Sequence, residues 1–243
     1  MVLLRRGPLV GLAGQEALLV VLALTVGLTG PGWVVGLLVG LGTALAVSLG
    51  LERAGAAGLG PADRVTLVSA VLTGGVAALV AEGFVGPPAV GVLVALATAG
   101  LVLDGVDGRV ARRTGTASAS GARFDMETDA ALNLALSVAV AVLGVAGWWV
   151  LAIGGLRYAY VAASRLAPTR VQEALRSPLP FRYSRKVIAV VQGVALLLGL
   201  TLHASGVSEA VPLLPPLVLA VALGTLCWSF GRDVLGQLRA TAP

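Results

Sequence analysis

Four aspartates crowd one short stretch of this sequence, DGVDGRVARRTGTASASGARFDMETD. Asp104 and Asp107 are three residues apart, and Asp125 and Asp129 are four apart. On helices each pair shares a face, and the intervening loop makes the two helices antiparallel neighbours, so all four carboxylates can meet at one point. Like charges about 4 Å apart cost on the order of 4 kcal/mol per pair at an effective dielectric near 20. Two divalent cations would neutralise such a cluster. The ligands are oxygen only, with no histidine or cysteine nearby, which favours Mg²⁺ or Mn²⁺ over zinc. Paired metals suit phosphoryl chemistry, where they bridge phosphate oxygens and stabilise a leaving group. Gly108 and Gly121 leave room for a bulky ligand between the helices, and Arg112 is the fixed cation suited to a diphosphate oxygen. The plainer alternative is that the aspartates cap helices and the arginines only set topology.

The elements that must hold these residues are membrane helices. The chain has 243 residues, 57% hydrophobic and only 12% charged, with a mean hydropathy of +0.95. Soluble domains carry roughly a quarter charged residues, and a soluble fold of this size needs far more polar surface. An acidic residue at mid-membrane costs about 2.5–3.5 kcal/mol on insertion scales, so a cluster of four is not incidental. The fold class is an all-α polytopic membrane protein. Apolar runs near the roughly 20 residues needed to cross the hydrocarbon predict eight spans, at 16–30, 33–51, 65–81, 88–103, 122–143, 149–166, 187–203 and 211–230. The first is the weakest, with Gln15 and Glu16 at its start and Pro31 closing it. Gly144 and Gly147 beside Trp148 and Trp149 mark a turn at the interface. Gly36-x-x-x-Gly40 is a helix-packing pattern.

The net charge of +5 is not a nucleic-acid signal, because placement explains it. With eight spans, every Lys and Arg except Arg157 falls on one face. By the positive-inside rule that face is cytoplasmic, and the aspartates lie beside it. A cleaved signal peptide over residues 1–30 is the rival reading, but no A-x-A-like site precedes Trp33. The single cysteine, Cys227, allows no internal disulfide.

Asp104-x-x-Asp107-Gly108-x-x-Ala111-Arg112, eight residues, then Gly121-x-x-x-Asp125-x-x-x-Asp129 resembles the signature of the CDP-alcohol phosphotransferase (phosphatidyltransferase) family at every fixed position. Pro61-Ala62-Asp63-Arg64-Val65-Thr66-Leu67 looks like the usual lead into that family's first core helix. The resemblance implies a six-helix catalytic core over 61–235, a short tail at 236–243, and an N-terminal extension over 1–60 with two additional spans. It implies displacement of CMP from a CDP-linked lipid, foremost CDP-diacylglycerol, by an alcohol. Asp104, Asp107 and Asp125 would hold two metal ions, with Asp129 as metal ligand and general base on the acceptor hydroxyl. Gly108, Ala111, Arg112 and Gly121 would line the nucleotide and diphosphate site.

The acceptor is the open part. Arg157 is the one basic residue inside a span, and buried cations need a partner. With Arg182, Arg185 and Lys186 it suggests a phosphorylated polyol such as glycerol phosphate or inositol phosphate; pairing of Arg157 with an aspartate is the alternative. The partners expected are the lipid donor, the alcohol acceptor and the bilayer, with no nucleic acid; a homodimer is allowed. Composition rich in Ala, Val, Gly and Arg points to a bacterial cytoplasmic membrane. Two rival classes are a Mg²⁺-dependent intramembrane prenyltransferase, which also pairs aspartate motifs, and a cation-coupled transporter, which needs acidic groups near the midplane.

Overall fold

The computed structural model describes residues 6–56, 58–115, 118–166, 172 and 183–240. Among them there are nine α-helices and no strand: α1 (Arg6–Val26), α2 (Gly30–Arg53), α3 (Pro61–Glu82), α4 (Val90–Thr114), α5 (Ala119–Val142), α6 (Leu151–Leu166), α7 (Tyr183–Ala204), the short α8 (Val207–Ala210) and α9 (Leu214–Ala240). A 3₁₀ turn at Trp148–Val150 leads into α6. Eight of these helices are long, one at each expected span, but not all eight are apolar enough to cross a membrane. Six are long and apolar enough to cross a membrane. The two that fall short are α5, which carries Asp125, Glu127 and Asp129, and α6, only 16 residues long with Arg157 at its centre.

Two boundaries near the N-terminus differ from the sequence expectation. The first helix starts at Arg6 rather than near residue 16. Gln15 is not at a membrane edge but buried, where the missing side chains of Gly40 and Gly74 admit it between α2 and α3. Pro31 does not close α1. The chain turns at Gly27, whose φ of +79° suits glycine, and Pro31 stands in the first turn of α2, where a missing N–H costs nothing. The orphan amides of that turn are answered from another helix. Glu82, at the end of α3, accepts hydrogen bonds from the Thr29 and Gly32 amides at 2.8 and 3.0 Å and from the Thr29 hydroxyl at 2.8 Å.

α3 is the central helix, packed by α1, α2, α4 and α5. Gly36 and Gly40 are buried and let α2 lie close on Leu19 and Gln15 of α1, so the small-residue pattern is structural. The main core joins Leu79, Leu93, Leu132, Leu136, Leu196 and Leu219 from α3, α4, α5, α7 and α9. At Gly154 the α6 backbone meets the α5 backbone at Leu134, with no space for even a methyl group. A second small cluster of Val47, Leu51 and Leu67 packs Phe124. It braces the start of α5 one residue before Asp125.

Candidate active site

The site forms where α3, α4 and α5 share one end. α4 does not stop at the apolar limit of residue 103 but runs to Thr114, carrying Asp104 and Asp107 on a continuous helix. Ser118 starts α5: its backbone is extended and its hydroxyl accepts the Gly121 amide at 3.0 Å, an N-cap that fixes where the next turns point. Asp125 and Asp129 follow within the first three turns. α3 packs against both neighbours, so it is the wall that holds α4 and α5 in register.

Asp104, Asp107 and Asp125 each place a carboxylate oxygen within 4.8 Å of the others. Asp107 is buried, and Asp104 and Asp125 are half-buried. Asp129, one turn further along α5 and half-buried, lies against Asp104. Among the described residues no Lys or Arg forms an ion pair with any of the four. A cluster of this kind, oxygen-only and without an ion-pair partner among the described residues, fits a hard divalent cation.

Two residues without a role in the sequence reading complete the surroundings. The Thr66 hydroxyl of α3 donates to Asp107 Oδ2 at 2.8 Å, in the buried interior. Asp63, one turn earlier, accepts the Gly60 amide at 3.2 Å and closes the first turn of α3. Its carboxylate also occupies the space beside Gly121. The room expected there for a ligand is therefore taken up by Asp63. Their sequence signals are the spacing of three, which puts Asp63 and Thr66 on one face of α3, and their place in the Pro61–Leu67 stretch that leads into that helix.

The remaining expected residues divide by position. Gly108 follows Asp107 on α4 and is half-buried. Ala111 and Arg112 continue that helix, their side chains outside the described set. Arg185 and Lys186 stand in the first turn of α7 with their side chains likewise outside it, and Arg182 lies outside the described residues. Arg157 is brought to none of the aspartates. It forms an ion pair with Glu127 and reaches Met126 Sδ, both on α5. Glu127 lies two residues from both Asp125 and Asp129, which on a helix is the opposite side. Arg157 therefore finds its acidic partner across the α5–α6 contact.

Residues 60–228 match the family model described as CDP-alcohol phosphatidyltransferase. No curated protein and no solved structure matches the chain. The family match covers well over half of the sequence, and the chain belongs to the CDP-alcohol phosphatidyltransferase family. It is a membrane-embedded transferase of phospholipid biosynthesis, which moves a phosphatidyl group from a CDP-alcohol to an acceptor. Members of the family generally use a divalent metal, in keeping with the carboxylate cluster. The prenyltransferase and transporter readings give way to this one.

Proposed function

We propose that the protein transfers the phosphatidyl group of CDP-diacylglycerol to a hydroxyl of a phosphorylated polyol, such as glycerol phosphate or inositol phosphate, and releases CMP. The observation that carries the reading is the convergence of Asp104, Asp107 and Asp125 within 4.8 Å inside the segment that defines the family. Asp104, Asp107, Asp125 and Asp129 would hold two divalent cations, Mg²⁺ or Mn²⁺. Bound there, the metals would neutralise the diphosphate and stabilise the departing phosphate of CMP.

The chain's own residues do the rest. Thr66 fixes one carboxylate orientation of Asp107, so the cluster is pre-formed rather than assembled by the ligand. Gly108, Ala111 and Arg112 line the nucleotide and diphosphate end, and Gly121 borders it with the Asp63 carboxylate seated against it. Arg182, Arg185 and Lys186 supply positive charge for the acceptor's phosphate; Arg157, committed to Glu127, is not needed for it. The acceptor oxygen attacks the lipid-bearing phosphorus, the bond from that phosphorus to the CMP oxygen breaks, and the hydroxyl proton passes to Asp129. One phosphate ester bond forms as the diphosphate linkage is cleaved, and CMP leaves with the bonding electrons.

Residues 61–235 form the catalytic domain in this proposal, 1–60 the extension and 236–243 the tail. The arginine distribution supports a site opening to the cytoplasm, and the composition rich in Ala, Val, Gly and Arg supports a bacterial membrane. A homodimer is no part of the proposal, since one chain supplies every residue it invokes. The test is CMP release by purified protein with Mg²⁺ and CDP-diacylglycerol against a panel of alcohols. Release with a phosphorylated polyol and not with serine supports the reading. Release with serine alone, or only from a different CDP-linked donor, overturns it.

A further inference from the structure

An apolar cavity of about 510 Å³ lies between α2, α3, α5 and α6, away from the carboxylates. That volume is in the range of small-molecule sites. One wall, formed by Val35 and Val39 of α2, lies outside the segment matched by the family, so the N-terminal helices complete a groove whose other walls lie within that segment. The opposite walls come from Ala77 of α3 and Ala135 and Val138 of α5, and Tyr158 of α6 completes the lining.

We propose that this groove holds one acyl chain of a zwitterionic membrane phospholipid, a lipid distinct from the reacting donor. Position comes first. The lining residues fall in the first half of α2 and the second halves of α3 and α5, whereas Thr66, Asp125 and Asp129 lie in the first halves of α3 and α5. The groove therefore occupies the half of the membrane opposite the site, and a lipid whose diphosphate sits at the aspartates has its head group at the wrong end. Length comes second. From Thr73 to Ala81 the α3 wall spans roughly 12 Å at 1.5 Å per residue, and Phe84 and Val85 extend the rim. That is close to the depth of one leaflet, about half of a 30 Å hydrocarbon layer. The exposed Trp148 and Trp149 beyond α5 mark the interface at that end.

Charge decides the head group. The polar end of the groove adjoins Glu82, and the sequence from residue 27 to 31, 82 to 89 and 143 to 150 contains no Lys or Arg. An anionic head group would meet a carboxylate and no cation there. A phosphatidylethanolamine, whose ammonium offsets its phosphate, meets no such penalty.

The experiment uses the full chain in vesicles of phosphatidylethanolamine and phosphatidylglycerol, doped with a phosphatidylethanolamine carrying a diazirine midway along one acyl chain. After photolysis, adducts should concentrate on the α2, α3 and α5 segments that line the groove. Ala135→Phe and, independently, Val39→Phe should lower that labelling several-fold, while Leu24→Phe on the exposed face of α1 should not. CMP release should persist in the filled variants, which separates this lipid from the substrate. Labelling spread evenly over all exposed helix faces would overturn the proposal. So would groove labelling indifferent to both filling variants, or chain-to-chain adducts in place of lipid adducts, which would make a second copy the occupant.

Discussion

The Thr66 hydroxyl donates a 2.8 Å hydrogen bond to Asp107 Oδ2 across the buried α3–α4 contact, 41 residues away in sequence. Asp107 is the most enclosed of the clustered carboxylates, so a protein hydroxyl rather than bulk water orients it. Partners that orient a metal ligand typically matter by about 10–100-fold in metal affinity or activity. Thr66→Val keeps the shape and removes the donor. The Mg²⁺ concentration for half-maximal CMP release should rise by that order, and Thr66→Ser should restore it. An unchanged Mg²⁺ dependence in Thr66→Val would show that Asp107 needs no such support.

Sidedness is checked at Ser118, which is exposed at the loop end of α5. Cys227 is itself exposed and free, so it is first replaced by Ala. Ser118→Cys in that background should react with an impermeant thiol reagent in inverted vesicles and not in intact cells. Labelling from outside the cell would reverse the topology inferred from the arginines.

At Gly121 the structure makes a sharper statement than the sequence. A methyl group there would run into the Asp63 carboxylate and press on the Ser118 hydroxyl. Gly121→Ala should therefore disturb the first turn of α3, where Asp63 holds the Gly60 amide, and slow turnover several-fold. If the clash with Asp63 is the cause, Gly121→Ala with Asp63→Ala should be less impaired than the sum of the single variants, the non-additivity expected of residues in contact. Strict additivity would put the role of Gly121 elsewhere, in making room for the nucleotide.

The aspartate motif and the eight long helices were legible because both are local signals. Hydropathy is read along a window, and spacings of three and four put side chains on one face of whichever helix carries them. The contacts between distant segments were not. Nothing in a lone threonine marks Thr66 as the partner of Asp107, and nothing in Gln15 tells that glycines 40 and 74 will bury it. The start of α1 was misplaced for that reason. Arg157 is the intermediate case. Its need for a partner was legible from its isolation within a span, but that partner is Glu127, which helical geometry separates from the flanking aspartates, rather than an aspartate. Which acidic residue it meets depends on how α6 packs against α5, set by the close approach at Gly154.

Glu82 gives a stability prediction independent of catalysis. It ties the start of α2 to the end of α3 through two amides and a hydroxyl, and a negative charge at a helix N-terminus is favourable. Loss of a helix cap costs about 0.5–2 kcal/mol. Glu82→Ala should lower the unfolding midpoint in detergent by the equivalent of that range, and Glu82→Gln by less, since an amide oxygen can still accept. CMP release at low temperature should be unaltered in both, because the cap stands at the end of α3 opposite the carboxylates. A Glu82→Ala protein as stable as the parent would mean that the Thr29 turn finds other partners.

Asp129 separates binding from chemistry. It lies one turn beyond Asp125 on the same face of α5, against Asp104, but is not among the three carboxylates that converge within 4.8 Å. That position suits a group facing the acceptor rather than one that holds the diphosphate. Asparagine keeps the shape and one acceptor oxygen but loses the charge and the ability to take a proton. Removing a general base typically costs about 10²–10⁴-fold in rate. Asp129→Asn should therefore lose turnover by that order while still binding CDP-diacylglycerol, whereas Asp107→Asn should lose binding as well. The two variants are compared by nucleotide binding and CMP release across a Mg²⁺ titration. If Asp129→Asn recovers full turnover at high Mg²⁺, the carboxylate serves only the metal, and the proton must leave the acceptor by another route.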